Sequence, residues 1–172
     1  MSDSAENVLI TSGSLQALDL INELLINPGD VVIVEQATYG GMVSRLQRAG
    51  AEVVGVELDD DGIRPDHLAD LLDRLAAEGR RVAYLYTIPT VQNPTGSVLP
   101  TERRRRVLDL ACAHDLVIFE DECYSDLLWD GPRPPAVRAL DTEGRVIYCG
   151  SFSKSIAPAL RVGYIVADWP VL

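Results

Sequence analysis

The stretch Val146-Ile147-Tyr148-Cys149-Gly150-Ser151-Phe152-Ser153-Lys154 is the most informative part of this chain for both fold and chemistry. Its apolar first half predicts a β-strand. The residues that follow place Lys154 beside two serine hydroxyls, and Arg161 comes shortly afterwards. A lysine with hydroxyls and an arginine close by is the set of groups that a Schiff base with a phosphorylated aldehyde cofactor requires.

Apolar runs of strand length alternate with periodic segments of helix length along the chain. The predicted strands are Val8 to Thr11, Val31 to Glu35, Val53 to Val56, Val82 to Thr87, Leu116 to Asp121, Val146 to Cys149 and Val162 to Ala167. The predicted helices are Leu15 to Leu25, Gly41 to Ala49, Pro65 to Glu78 and Thr101 to His114. This order predicts an α/β three-layer sandwich, with helices on both faces of a mostly parallel seven-stranded sheet.

The connection before the last strand differs from the others. It contains Pro158 and no clear helix, and a parallel crossover usually needs about a dozen or more residues that include a helix. We therefore predict that the seventh strand runs antiparallel to its neighbours.

Composition narrows the possible partners. The chain has 172 residues, a hydrophobic content of 47% and a formal net charge of −11. This favours one globular domain and argues against nucleic acid or an anionic membrane as partner, because both bind clustered positive charge. The run Arg103 to Arg106 would fan around a helix at about 100° per residue, which favours a solvated helix surface over a binding patch.

Cysteine and histidine usage predicts no metal site. Cys112, Cys123 and Cys149 show neither a C-x-x-C spacing nor an even count, so they are interpreted as reduced thiols. His67 and His114 are the only histidines, and both fall at amphipathic helix positions. The first residues resemble neither a signal peptide nor a membrane span, so a cytoplasmic location is expected.

Candidate ligand-binding residues follow the ends of predicted strands, where open α/β sheets bind their ligands. Thr11-Ser12-Gly13-Ser14-Leu15 joins the first strand to the first helix, and its backbone N–H groups, hydroxyls and glycine suit a phosphate. A plain helix-capping turn would have the same sequence. Tyr39, which precedes two glycines, has room to stack on a planar heterocycle, although taken alone it is better explained as a core tyrosine.

Two further motifs follow later strands. Asn93-Pro94-Thr95-Gly96 is a rigid turn that can direct the Asn93 amide toward a ligand, and turn chemistry alone also explains it. Asp121 ends an apolar strand, where a carboxylate needs a cationic partner such as a protonated pyridine nitrogen, or else caps a helix. Tyr124, three residues on, is placed to reach a phenolic oxygen of the same ligand.

Taken together, these motifs resemble the large domain of fold-type I, class I/II aminotransferases, which use pyridoxal 5'-phosphate. The resemblance covers Val8 to Ala167 and has five motifs in the family's order. It implies that Lys154 forms the Schiff base, Asp121 pairs with the pyridine nitrogen, and Asn93 and Tyr124 bond the ring oxygen. Tyr39 would stack on the ring. The residues implied around the phosphate are Ser12, Gly13, Ser14, Leu15 through its N–H, Ser151, Ser153 and Arg161.

The same resemblance implies transamination between an amino acid and a 2-oxo acid, with Lys154, Asp121 and Tyr124 as the catalytic residues, and a homodimer in the full-length form. The segment from Tyr86 to Pro94 is most similar to the aminoadipate, aromatic and branched-chain branch. Family members are about twice this long. We therefore expect residues 1–172 to form a single large domain that lacks the family's N-terminal segment and C-terminal small domain.

Three alternatives remain open at this point. Similar domains sense effectors in bacterial regulators that carry a winged-helix DNA reader. Carbon–sulfur lyases share the lysine, the aspartate and the phosphate loop. A truncated fragment without a working site is the third alternative.

Overall fold

The computed structural model describes residues 4–168 and residue 171, which form two sheets and five α-helices. The strands are β1 (Val8–Thr11), β2 (Val31–Glu35), β3 (Glu52–Val56), β4 (Leu58–Asp59), β5 (Gly62–Ile63), β6 (Val82–Thr87), β7 (Ile118–Asp121), β8 (Val146–Ser151) and β9 (Gly163–Val166). The α-helices are α1 (Ser14–Leu25), α2 (Gly40–Arg48), α3 (Pro65–Ala77), α4 (Thr101–Ala113) and α5 (Val137–Leu140).

The main sheet has seven strands in the order β1-β9-β8-β7-β6-β2-β3. The pairs from β8 through β7, β6 and β2 to β3 are all parallel, whereas β9 is antiparallel to both β8 and β1. The mostly parallel seven-stranded sheet and the antiparallel last strand are therefore confirmed. β4 and β5 form a separate two-stranded antiparallel hairpin.

Two hydrophobic cores lie on opposite faces of the sheet. Val31 and Ile33 of β2 join the core that contains the buried leucines of α3 and the buried face of α4. Val32 and Val34 join the other core, with α1 and α2. Because both faces are covered, β2 has an unbroken apolar run instead of an alternating pattern. The three-layer sandwich predicted from the sequence is confirmed.

The prediction of a solvated surface for Arg103 to Arg106 is wrong at Arg104, which is completely buried. Its guanidinium donates to the carbonyl oxygens of Leu99 and Pro89, both at 2.8 Å, and to Glu122 Oε1 at 3.2 Å. The helical position of Arg104 faces the sheet, and its charge is balanced there by a buried carboxylate. Arg104 therefore ties α4 to the segment that follows β6.

Within the described residues, every helix is too short or too polar to cross a lipid bilayer.

Candidate active site

The strand order brings three separate chain segments to one edge of the sheet. Thr11 at the end of β1 and Ser151 at the end of β8 both pair with Gly163 at the start of β9. Because β9 is antiparallel, its first residue lies at the same edge as the last residues of its neighbours. The loop after β1, the lysine segment after β8 and the arginine before β9 are thereby adjacent.

A cavity of about 280 Å³ opens at this edge. Nine of the twelve predicted site residues line it, all except Ser12, Gly13 and Asn93. The complete lining is Ser14, Leu15, Leu18, Tyr39, Ile88, Asp121, Cys123, Tyr124, Ser151, Ser153, Lys154, Pro158 and Arg161. Leu18, Ile88, Cys123 and Pro158 were not predicted. Ile88 and Cys123 could have been found, because each follows closely on the end of a central strand.

One end of the cavity is built for an anion. Gly13 has φ of 76° and precedes α1, whose first turn contributes Ser14 and Leu15 to the cavity wall. The Arg161 guanidinium lies over this turn and donates to the Ser12 carbonyl at 3.2 Å. A helix N-terminus, an arginine and the nearby Ser151 and Ser153 hydroxyls form a set that favours a phosphate.

Asp121 lies at the floor of the cavity and is 6% exposed. Its carboxylate accepts hydrogen bonds from the Tyr86 hydroxyl at 2.8 Å and from the Cys123 backbone N–H at 3.1 Å. Burial raises the pKa of Asp121 above its ordinary value, while the hydrogen bonds from Cys123 and Tyr86 act in the opposite direction. A protonated ring nitrogen would favour the ionised carboxylate further.

Tyr86 was missed at the sequence level. It belongs to the apolar run of β6, and its ring packs edge-on against Phe119, so its pattern is that of a core residue. Its hydroxyl alone reaches the site. The bond from that hydroxyl holds Asp121 in a single orientation.

The Lys154 amine lies over the ring of Tyr124, and both side chains line the cavity. Lys154 Nζ lies 5.6 Å from the centroid of the Tyr124 ring. The Tyr124 hydroxyl accepts a hydrogen bond from the Asn93 side-chain amide at 3.3 Å, so Asn93 reaches the site through Tyr124. Burial raises the pKa of Tyr124, and the bond from Asn93 opposes this shift.

Tyr39 forms part of the cavity wall just before α2 begins. Space for its ring depends on Gly41, where a β-carbon would lie 2.3 Å from the ring carbon that carries the hydroxyl. The prediction that the flanking glycines leave room for the ring is correct for Gly41. Nothing lies within 4 Å of a β-carbon at Gly40.

A buried carboxylate, that of Glu35, accepts hydrogen bonds from residues at the end of β6 and in the turn that follows it. Glu35 Oε1 accepts from the Thr87 hydroxyl at 2.7 Å, and Glu35 Oε2 accepts from the Gln92 amide at 2.8 Å. Gln92 in turn accepts from the Thr95 backbone N–H at 2.8 Å. The turn after β6 that carries Asn93 is therefore held by a carboxylate on β2, the adjacent strand of the sheet.

We expect Glu35→Gln to change how stability depends on pH. Burial raises the pKa of Glu35 from 4.5 to about 7 in the folded chain. As pH rises from 4.5 to 7 the unfolded chain loses this proton first, so the free energy of unfolding falls, by at most roughly 3 kcal/mol. The glutamine variant has no such proton to lose. Urea unfolding should therefore show that the free energy of unfolding of the variant, relative to that of the wild type, is higher at pH 8 than at pH 5.

Glu23→Gln, at an exposed position of α1, is the matched control and should show a much smaller change between the two pH values. An equal stability difference between Glu35→Gln and wild type at both pH values would contradict the assignment.

Comparison with known proteins is consistent with this geometry. The family model described as aminotransferase class I and II matches residues 1–172. Aromatic-amino-acid aminotransferase 1 of Thermococcus litoralis is 44% identical over 96% of this chain. The HTH-type transcriptional regulator YjiR of Escherichia coli is 39% identical over 94% of it.

A solved structure is equally similar. The crystal structure of the Pyrococcus horikoshii kynurenine aminotransferase, in complex with PMP, superposes with a TM-score of 0.94 at 41% identity over 98% of this chain. The chain spans only 40% of the Thermococcus relative, 34% of the regulator and 42% of the Pyrococcus chain.

Proposed function

Because the chain belongs to the class I and II aminotransferase family, we propose that its cavity binds pyridoxal 5'-phosphate for amino transfer between an amino acid and a 2-oxo acid. The observation that carries the proposal is that Lys154, Asp121 and Arg161 line one cavity. Asp121 ends β7, whereas Lys154 and Arg161 lie in the connection between β8 and β9. Each matches one distinct chemical group of the cofactor.

The residues present fit this cofactor. The anion end, formed by Gly13, the first turn of α1 and Arg161, suits the phosphate. The buried Asp121 carboxylate suits a protonated pyridine nitrogen, which would supply the cation that a buried carboxylate needs. Tyr39 offers a ring for stacking, and Lys154 Nζ is the amine for the aldehyde.

The bound cofactor would supply an electron sink for the charge left when a proton leaves the substrate's α-carbon. Lys154 Nζ would hold the cofactor, and as a free amine it would accept the substrate's α-proton and later donate it. Asp121 would keep the ring nitrogen protonated, and the bond from Tyr86 keeps Asp121 oriented. Tyr124, which accepts from Asn93, would hydrogen-bond the ring oxygen.

The experiment that tests the proposal is an amino-transfer assay on the purified protein loaded with pyridoxal phosphate. Aromatic amino acids, kynurenine and 2-aminoadipate are the donors to try first, because the similar proteins are named for the first two and the segment from Tyr86 to Pro94 resembles the aminoadipate and aromatic branch. We expect 2-oxo acid to form from the donor only when a second 2-oxo acid is supplied as acceptor.

Two other outcomes would overturn the proposed reaction. Release of ammonia and pyruvate without an acceptor would indicate a lyase. A cofactor attached to Lys154 with no amino transfer for any donor would favour an effector-sensing role, which the similarity to the Escherichia coli regulator suggests.

We also propose that the protein acts as a cytoplasmic homodimer. Exposed apolar side chains support association with a second copy of the chain. The exposed fractions are 65% for Ile10, 86% for Trp129, 67% for Ile156 and 55% for Leu160. The family resemblance favours the homodimer. The interpretation of the cysteines as reduced thiols favours the cytoplasmic location.

Gly13→Ala should weaken cofactor binding by roughly tenfold, equivalent to about 1.4 kcal/mol. A β-carbon at Gly13 would lie 2.4 Å from Arg161 Nη2, so the guanidinium must move away from the phosphate position. Fluorescence titration with pyridoxal phosphate measures the change.

Gly79→Ala is the matched control, because Gly79 also has a positive φ, of 65°, and a β-carbon there would have nothing within 4 Å. Gly13→Ala should lose more stability than Gly79→Ala, because Gly13 combines φ of 76° with ψ of 167°, a conformation that essentially only glycine adopts; only Gly13→Ala should lose affinity. Equal affinities for the two variants would contradict the proposed phosphate site.

A further inference from the structure

Two thiols and a carboxylate meet at the floor of the cavity. Asp121 at the end of β7 pairs in register with Cys149 of β8, and the Glu122 N–H donates to the Cys149 carbonyl at 2.9 Å. Cys123 follows Asp121 by two residues, in the turn after β7. The ligand atoms of Asp121, Cys123 and Cys149 all lie within 4.8 Å of one another.

The three side chains differ in access. Cys149 is completely buried and Asp121 is nearly so, whereas Cys123 is partly exposed and lines the cavity. An ion held among them would therefore be enclosed on the sheet side and open on the cavity side. Three protein ligands with one open position is a common arrangement for zinc.

The distances suit a tetrahedral ion after a small rotation. With zinc–sulfur bonds of about 2.3 Å, ligand atoms are separated by roughly 3.8 Å. Rotation of the partly exposed Cys123 side chain can close the gap. Thiolate ligands select soft or borderline cations such as zinc and cadmium over magnesium and calcium. The Tyr86 hydroxyl, bonded to Asp121 at 2.8 Å, is an outer partner that orients the carboxylate.

We propose that the cofactor-free protein binds one thiophilic divalent cation at Asp121, Cys123 and Cys149, and that this cation and the cofactor exclude each other at Asp121. Binding converts two thiols to thiolates and releases two protons to solvent, with no change in oxidation state. The mutual exclusion rests on the proposed function, since it requires Asp121 to be the partner of the ring nitrogen. The cation site itself does not.

The test is a titration of cofactor-free protein with cadmium, in a non-coordinating buffer that contains a phosphine reductant to prevent disulfide formation. Ultraviolet absorption from thiolate bound to cadmium reports binding at sulfur. We expect one ion per chain, and we expect Cys123→Ser and Cys149→Ala each to weaken binding at least tenfold. Cys123→Ser changes a partly exposed position, so it tests the site even where Cys149→Ala does not fold.

Cys112→Ala is the matched control, because Cys112 is the third thiol and lies on α4, outside the cavity lining. It should bind cadmium as the wild type does. Absence of the absorption band in the wild type, or a signal that survives in Cys123→Ser and disappears in Cys112→Ala, would overturn the proposed site.

Competition tests the second part of the proposal. Pyridoxal phosphate at saturating concentration should remove the cadmium band, and bound cadmium should lower the apparent affinity for pyridoxal phosphate at least tenfold. Simultaneous binding of both would overturn the exclusion. A cadmium site with the expected variant pattern in a chain that does not bind pyridoxal phosphate would leave the cation site standing and refute the proposed function. A chain that binds pyridoxal phosphate but gives no cadmium band would refute the cation site alone.

Discussion

Lys154→Ala should abolish covalent attachment of pyridoxal phosphate and reduce amino transfer by at least roughly 10²- to 10⁴-fold, the usual contribution of a general base. Lys154 is the only lysine among the 172 residues, so no neighbouring side-chain amine can replace it. The change removes both the attachment point and the group that moves the α-proton. Absorbance of the protein–cofactor linkage and the amino-transfer rate measure the two losses separately.

Lys154→Arg is the control for charge. It keeps a cation opposite the Tyr124 ring, but a guanidinium stays protonated at any useful pH and cannot act as a base. The arginine variant should therefore be as inactive as the alanine variant while folding like the wild type. Appreciable amino transfer by either variant would show that Lys154 does not have the assigned role.

Asp121→Asn should leave the cofactor attached to Lys154 but lower the rate of amino transfer by on the order of 10²-fold or more. Asparagine is close to aspartate in shape, and its amide can accept from the Cys123 N–H and donate to the Tyr86 oxygen in place of the present bonds. It carries no charge, so it cannot stabilise a proton on the ring nitrogen. Single-turnover kinetics with a fixed donor measure the loss directly.

Asp126→Asn is the matched control, five residues further along the same segment. Asp126 is exposed and its carboxylate pairs with Arg133 at 3.3 Å. This variant should retain wild-type turnover. If Asp121→Asn were as active as Asp126→Asn, the buried carboxylate would have no part in the chemistry.

Much of the fold is predictable from local pattern. The unbroken apolar run of β2 predicts a strand covered on both faces, and both cores contain its side chains. Pro158 and the lack of a helix before β9 predict the reversal of the last strand. These features are determined by residues close together in the chain, where strand length and connection length are the controlling terms.

The order of the strands across the sheet cannot be predicted from local pattern, because it depends on pairings between distant segments. The position of β9 between β1 and β8 brings Arg161 over Ser12, and no local pattern indicates it. Buried polar partners are hidden for the same reason. Arg104 and Glu122, or Glu35 and Gln92, are recognisable as pairs only once the segments that carry them are adjacent in the fold.

The candidate site shows the same division. Motifs that follow strand ends could be predicted to share one edge of the sheet, and nine of those residues line one cavity. Tyr86 could not, because only its hydroxyl leaves the core. The proximity of Cys123 and Cys149 could not be predicted either, since the pairing of β7 with β8 brings these free thiols together and no short spacing in the sequence does.

Borohydride reduction of the protein loaded with pyridoxal phosphate, followed by mass mapping of its peptides, tests the central claim most directly. Since the sequence contains one lysine, the α-amino group is the other primary amine available for reaction. We predict a single adduct, on the peptide that contains Lys154. Inorganic phosphate at high concentration should lower the yield of this adduct by competing for the site at Arg161. An adduct confined to the α-amino group, or none at all, would contradict the assignment of this cavity as a pyridoxal phosphate site.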